Sequence, residues 1–251
     1  MPRNVLLLTA TITPPTGAPE LVVTDPISRL MEYQKALKYY MTMIGRPFDA
    51  IVFCENSDSD LESLKRLAAK AGVAEAVEFI GFHGLDYPVE YGRAYGEFRL
   101  IDYAMEHSAY LSKGVDQVVW KCTGRYLIKN MAQIVERAPL DFDVYCNKRN
   151  HPTPWCDLYL LAWRRRGYDV AIHDFARRSQ GESIKKNMGE SEFRRWLDKL
   201  DDRLKIVSRF RQLPLLEAKR GLDGKAYGMS YWNWRVLMRQ VALRLAPTLW
   251  I

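Results

Sequence analysis

Residues 115–126 read Val-Asp-Gln-Val-Val-Trp-Lys-Cys-Thr-Gly-Arg-Tyr. An apolar, β-branched run there delivers Lys121, Thr123, Gly124, Arg125 and Tyr126 in quick succession. A buried strand ending in an ammonium, a hydroxyl, a permissive glycine and a guanidinium can neutralise an anion at its carboxyl edge, because Lys supplies a compact charge and Arg a planar fork of donors. Other apolar runs end in polar residues as well: Thr9-Ala10-Thr11, Glu55-Asn56-Ser57 and Phe82-His83-Gly84. Gly92-Arg93-Ala94-Tyr95-Gly96-Glu97 opens a helical pattern. Gly92 and Gly96 allow close backbone approach, and a helix N-terminus favours a negative group. The plainer alternatives are a helix start with packing glycines, a structural salt bridge at Lys121 and Arg125, and an ordinary first-turn acid at Glu97.

These residues need elements to position them. The apolar runs predict strands at Val5–Ile12, Phe48–Phe53, Val77–Ile80, Val115–Trp120 and Phe142–Cys146. Helices are predicted between them: one opened by Asp25-Pro26 and running to Gly45, one capped by Ser57 or Asp58 and ending at Gly72, one over Arg93–Leu111 and one over Tyr126–Arg137. Strands alternating with helices imply an α/β fold: a mostly parallel, Rossmann-like sheet flanked by helices, with ligands at the carboxyl ends of its strands. After a polar loop at Asn147–Pro154, Asp157–Trp163 and Tyr168–Ile172 read as strands, Ser191–Phe210 as a helix, and Ser230–Leu245 as an amphipathic helix. Gly221-Leu222-Asp223-Gly224-Lys225 is a flexible basic loop. The expected organisation is a binding core over 1–165 and a basic helical region over 166–251 that completes the same domain.

Composition excludes several classes. The chain has 251 residues, 48% apolar and 27% charged, as in ordinary globular proteins. No apolar run approaches the ~20 residues of a membrane-spanning helix, and Val5–Leu8 is too short for a signal peptide. A cytoplasmic location is expected. Cys54, Cys122, Cys146 and Cys156 form no CxxC pair and read as buried free thiols. The phosphate-binding GxxxxGK[ST], the dinucleotide GxGxxG, HExxH and GxSxG are all absent. Charge is uneven: residues 1–159 hold 17 Lys/Arg against 20 Asp/Glu, and residues 160–251 hold 20 against 10. The basic last third points to an anionic partner or to a solvated basic surface.

The series Glu55-Asn56-Ser57, then Gly92-x-x-x-Gly96-Glu97, then Lys121-x-Thr123-Gly124-Arg125-Tyr126 with Asn130, resembles bacterial glycosyltransferases of capsule and O-antigen synthesis. The resemblance covers about residues 1–165 and, more loosely, Arg220–Tyr227. It implies a GT-A-like fold, a nucleotide-sugar donor and a glycan or lipid-linked glycan acceptor. In that fold an Asp-x-Asp usually holds a divalent metal on the diphosphate. Lys121 and Thr123 stand in its place, so no metal or other cofactor is expected. Thr11, Glu55 and Asn56 would meet the base and ribose. Gly92, Gly96, Glu97, Thr123, Gly124 and Tyr126 would line the donor site, with Glu97 binding a sugar hydroxyl or holding Arg125. Lys121 and Arg125 would neutralise the diphosphate, Lys225 would fold over it, and Asp157 would be the base. The family's Asp is followed by Thr-Arg, whereas Asp157 is followed by Leu158-Tyr159. The tail, with Trp232, Trp234, Arg235, Arg239 and Trp250, suits peripheral contact with an anionic inner membrane or packing on the domain. Nucleic acid is not the expected partner. The competing readings are a basic nucleic-acid-binding module and a catalytically silent scaffold of a polysaccharide assembly complex.

Overall fold

Strands buried on both faces build the centre of the molecule. The computed structural model describes residues 3–15, 23–111, 116–151, 153–179 and 189–217, together with Met238, Val241 and Leu245. Four parallel strands come first: β1 (Arg3–Ala10), β2 (Ala50–Glu55), β3 (Val77–Gly81) and β4 (Gln117–Thr123). Between them run α1 (Pro26–Met41), α2 (Glu62–Lys70) and α3 (Gly92–His107). Then follow β5 (Leu127–Ile128), α4 (Met131–Glu136), β6 (Val144–Tyr145), β7 (Lys148–Arg149), β8 (Trp155–Cys156), β9 (Leu160–Trp163), α5 (Arg165–Gly167), α6 (Phe175–Ser179), α7 (Gly189–Asp198), β10 (Ile206–Val207) and β11 (Leu216–Glu217). The central sheet has seven strands in the order β3-β2-β1-β4-β9-β6-β10, with β9 antiparallel to both neighbours and the other strands parallel to one another. This is the expected mixed α/β architecture. Ile206–Val207 joins the sheet edge, so the last third contributes to the same sheet as the first.

Side-chain alternation divides the core into two layers. Leu6, Leu8, Ile51, Phe53, Val118, Trp120, Cys122, Leu160 and Ala162 face α1, α2 and α4. Val5, Leu7, Val52, Val119, Leu161 and Trp163 face α3, α6 and α7. Each fully buried Leu or Val of this kind contributes roughly 1.5–3 kcal/mol of transfer free energy. All four cysteines are free and buried. Among the described residues no helix is long and apolar enough to cross a membrane.

The start of α1 follows its sequence signal: Pro26 is its first residue, and Asp25 accepts the Ser28 amide at 2.8 Å. Elsewhere tertiary contacts override local pattern. The helix expected at Tyr126–Arg137 shrinks to α4, because Leu127–Ile128 pairs antiparallel with Leu216–Glu217. Ser57 and Asp58 cap nothing; Ser57 is held by Glu55, and α2 begins at Glu62, whose amide bonds Asp60. The expected strand at Tyr168–Ile172 is a π-helical turn, with Tyr168, Ala171 and Ile172 buried at helical spacing. The long helix expected from Ser191 stops at Asp198, and the β6 edge takes up Ile206–Val207 as a strand. Part of the supposed loop at Asn147–Pro154 pairs as β7 with β8. The loop at 221–225 lies outside the described residues. So does most of the tail, of which Met238, Val241 and Leu245 are helical and exposed.

Folding also brings the two charge-biased parts together. Arg164 pairs with Asp116, Arg166 with Asp143 and Lys205 with Asp141. Three of the cations of the last third are therefore matched by acids of the first two thirds. Gly167 makes the close approach between these parts possible: a Cβ there would sit 2.0 Å from the Asp143 carbonyl oxygen. Gly167→Ala should therefore cost about 2 kcal/mol or more of stability, because backbone must move. Urea unfolding checks this, and an unchanged midpoint would show that the contact is slack.

Candidate functional site

The chain steps from β1 outward through β2 to β3, then returns across the sheet to place β4 on the other side of β1. The connections leaving β1 and β4 diverge, so the carboxyl ends of these strands are a topological switch point, the place where sheets of this kind open a crevice. Gly124 closes its floor. Its amide donates to the Thr9 carbonyl at 2.8 Å, and a Cβ there would lie 2.8 Å from that same oxygen. Only glycine lets the turn after β4 ride this closely on β1.

Under the crevice is a buried ion pair. Lys121 lies on the α3 face of β4 beside Leu7, its partner in β1, and it is fully buried. Its Nζ pairs with Glu97 of α3 and donates to the Leu158 carbonyl. Thr9 donates its hydroxyl to Glu97 at 2.6 Å. Glu97 thus ties β1, β4 and α3 together, while its side chain stays about a quarter exposed at the crevice. Glu97 holds Lys121 rather than Arg125, whose ion-pair partner is Glu32 of α1 at 3.1 Å. The Arg125 guanidinium also lies 5.0 Å from the Tyr126 ring centre. Burial works to lower the Arg125 pKa, but Tyr126, Tyr33 and Glu32 outweigh it and hold the pKa above its ordinary value. Both cations expected to face a diphosphate are therefore engaged inside the protein.

The opposite rim is built on a second carboxylate. Glu55 is fully buried and accepts the amides of Ile12, Ser57 and Ser59 at 2.8–3.1 Å, so it pins the loops after β1 and β2 together. Thr11 and Asn56, held side by side by this clamp, hydrogen-bond at 2.6 Å. Arg29 donates to the Thr11 carbonyl and Tyr33 accepts its amide, which fixes the β1 loop against α1. Glu55 is thus a scaffold residue, and beside it the half-buried Thr11 is backed by the buried Asn56. Thr123, at the end of β4, is half-buried and its amide bonds the Tyr159 carbonyl.

At α3 the two glycines separate in role. Gly92 starts the helix at a φ of +76°, a conformation that favours glycine. Gly96 is covered: a Cβ there would meet the Tyr87 hydroxyl at 2.1 Å. No side chain caps the first turn of α3. Between the glycines stands Arg93, exposed and without an ion pair among the described residues. It is close enough to Tyr126 and Glu190 to act on the charge of both.

Two acids occupy the α7 side. Asp157 is buried, and its Oδ2 accepts Asn147 at 2.7 Å and Arg149 at 2.6 and 3.1 Å. Glu190 sits in the first turn of α7, docked by two contacts. Gly189 packs directly on Ala94, with room for no Cβ, and the Ser191 hydroxyl bonds the Pro154 carbonyl at 3.0 Å. Burial raises the Glu190 pKa above its ordinary 4.5; Asp157 adds to the rise, and Arg93 and Lys121 oppose it. Neither Arg93 nor Glu190 stood out in the sequence as a candidate. Both flank glycines at helix starts, Gly92-Arg93 and Gly189-Glu190, and that shared pattern was the available signal. Lys225 lies outside the described residues. Among the described residues no group of three or more His, Cys, Asp or Glu side chains comes together as a metal site.

No family model matches the chain. No curated protein matches it either. Among solved structures, it is similar to a provisionally named nucleotide-diphospho-sugar transferase from Desulfovibrio desulfuricans, with 13% identity and a TM-score of 0.44 over 97% of each chain. It is also similar to a cytidylyltransferase from Leptospira borgpetersenii, with 10% identity and a TM-score of 0.38 over 86% of this chain and 82% of that one. HddC from Yersinia pseudotuberculosis gives 12% identity and a TM-score of 0.39 over 96% and 100%. Likeness at this level leaves the activity to be read from the crevice.

The Lys121–Glu97 pair generates an asymmetric prediction. Glu97→Ala strands a fully buried ammonium and should cost about 3 kcal/mol. Lys121→Met leaves Glu97 with Thr9 and water and should cost within about 1 kcal/mol, since apolar replacement of a buried ion is well tolerated. Denaturant unfolding of the two variants checks the order; equal losses would refute it.

Proposed function

We propose that this protein is a glycosyltransferase, moving a sugar from a nucleotide-sugar donor to a glycan or lipid-linked glycan acceptor in capsule or O-antigen synthesis. One observation carries the reading: the switch point brings together the half-buried Thr11, backed by Asn56, an exposed guanidinium on an uncapped helix start, and a proton-affine carboxyl within electrostatic reach of that guanidinium. Thr11 and Asn56 meet the base and ribose. Arg93 and the first-turn amides of α3 hold the diphosphate, with Arg125 adding fixed positive charge from behind. Lys121 is a positioning residue: it locks Glu97, whose exposed edge takes a sugar hydroxyl.

The proton goes to Glu190. The acceptor oxygen attacks the anomeric carbon as its hydrogen passes to the Glu190 carboxylate. The bond from that carbon to the diphosphate oxygen breaks, and the diphosphate leaves with the electron pair. Asp157, the base expected from the sequence, is committed to Arg149 and Asn147; its charge keeps Glu190 basic. Cationic side chains do the work of a divalent ion in this scheme. Met238, Val241 and Leu245, apolar and exposed at helical spacing, suit contact of the tail with the membrane that carries a lipid-linked acceptor.

A panel of UDP-, GDP-, dTDP- and CMP-sugars should raise the melting temperature for one nucleotide type, and Arg93→Ala should weaken that binding at least tenfold. Turnover should persist in EDTA. No shift with any donor, or pyrophosphate release from a nucleoside triphosphate and a sugar phosphate, would overturn the glycosyl-transfer reading; loss restored by Mn²⁺ would overturn the metal-free scheme.

Glu190 makes a pH prediction. Its folded-state pKa is raised, so below that value it is protonated and cannot accept the acceptor proton. The acid limb of kcat/KM should therefore rise with a midpoint above 4.5. Glu190→Gln should abolish that limb and lower kcat about 10²–10⁴-fold. A raised carboxyl pKa contributes stability below the unfolded-state value that is lost as pH climbs through the folded-state value. Glu190→Gln should thus be at least as stable as the parent at neutral pH, which separates lost chemistry from unfolding.

A further inference from the structure

A cavity of about 490 Å³ lies along α3, lined also by Phe82, the loop before α3 and the start of α6. Tyr91, Tyr95, Arg99, Asp102, Tyr103 and Glu106 reach it at helical spacing. Glu97 leaves the helix about 200° around from Tyr95, so the cavity and the crevice use different flanks of α3. No step proposed above involves this cavity.

Its lining is aromatic and mixed in charge. Tyr87, Tyr91 and Tyr95 form an edge-to-face cluster with 4.9 Å between neighbouring ring centres, and Phe82 stacks on Tyr103 at 3.7 Å. Arg99 pairs with Asp86 at 2.7 Å while lying within 6 Å of the Tyr87 and Tyr95 rings. Arg177 pairs with Asp174 at 3.8 Å. Asp102 accepts the Tyr168 hydroxyl at 2.8 Å and the Asp174 amide at 3.1 Å, holding Asp174 at a φ of +58° on the cavity wall. Burial raises the pKa of Asp102 and pushes that of Tyr87 to about 12, so the Tyr87 phenol remains a hydrogen-bond donor at neutral pH.

This chemistry discriminates among ligands. An anion would find both guanidiniums already matched by carboxylates. A cation would find Asp86 and Asp174 already paired with arginines and Asp102 engaged by the Tyr168 hydroxyl and the Asp174 amide, which leaves it Glu106 alone. A neutral polyhydroxyl ligand finds what it needs: ring surface for its C–H faces, and interleaved donors and acceptors for its hydroxyls. We infer that this cavity is a binding site for a neutral saccharide, separate from the crevice and independent of its nucleotide chemistry.

Saturation-transfer NMR and calorimetry on the full chain with maltotetraose, mannotetraose and galactotetraose test it, with spermidine and inorganic phosphate as charged probes. At least one tetrasaccharide should bind. The conservative, exposed Glu106→Gln should weaken it at least tenfold without altering the melting temperature or the nucleotide-sugar shift at the crevice, and Tyr91→Ala should weaken it at least as much while lowering the melting temperature, because Tyr91 packs on Tyr95. No tetrasaccharide binding, equal binding by a folded Glu106→Gln protein, or binding of spermidine or phosphate alone would each overturn the inference. None of these results touches the nucleotide-sugar shift, so the two readings fail separately.

Discussion

A buried ammonium beside a carboxylate holds this molecule's functional end in place. Lys121 of β4 cannot remain charged in a dry sheet–helix interface unless a negative group is brought to it. Glu97 is that group, and with Thr9 it ties the two central strands to α3. The start of α3, and with it Arg93, is thereby fixed over the crevice. Gly189 packing on Ala94 then carries the constraint to α7 and places Glu190 opposite. One ion pair thus positions groups from three segments far apart in the chain.

This arrangement divides labour between charges. The interior ones (Lys121, Arg125, Glu55 and Asp157) are each matched by partners and shape the walls. Among the described residues around the switch point, those not consumed in this way are Arg93, the outer edge of Glu97, and Glu190. Buried ionic groups are costly unless paired, so residue type at a strand end says little about which charge is offered to solvent and which is consumed. The same rule governs the surface, where the basic last third neutralises acids of the first two thirds through Arg164, Arg166 and Lys205.

Much of the fold was legible in advance because it rests on local signals. The four leading strands show as short β-branched apolar runs, and Asp25-Pro26 marks the start of α1. What was illegible depended on partners distant in sequence. Leu127–Ile128 becomes a strand only because Leu216–Glu217 lies beside it. Tyr168–Ile172 is short enough for strand and helix periods to look alike, and its helical burial is decided by the neighbouring layer. Of the candidate residues read from the sequence, Lys121, Thr11, Asn56 and Gly124 come together because strand ends in a parallel sheet converge, and Glu97 joins them from α3, whereas Arg93 and Glu190 carry no such mark.

The sequence alone determined which side chains stand at the ends of β1, β2 and β4, since alternation and strand boundaries are local properties of the chain. Only the tertiary structure decided which of them are spent on one another. That choice depends on which element packs over each strand end, and desolvation there selects Glu97 of α3 for Lys121, Glu32 of α1 for Arg125 and Arg149 of β7 for Asp157.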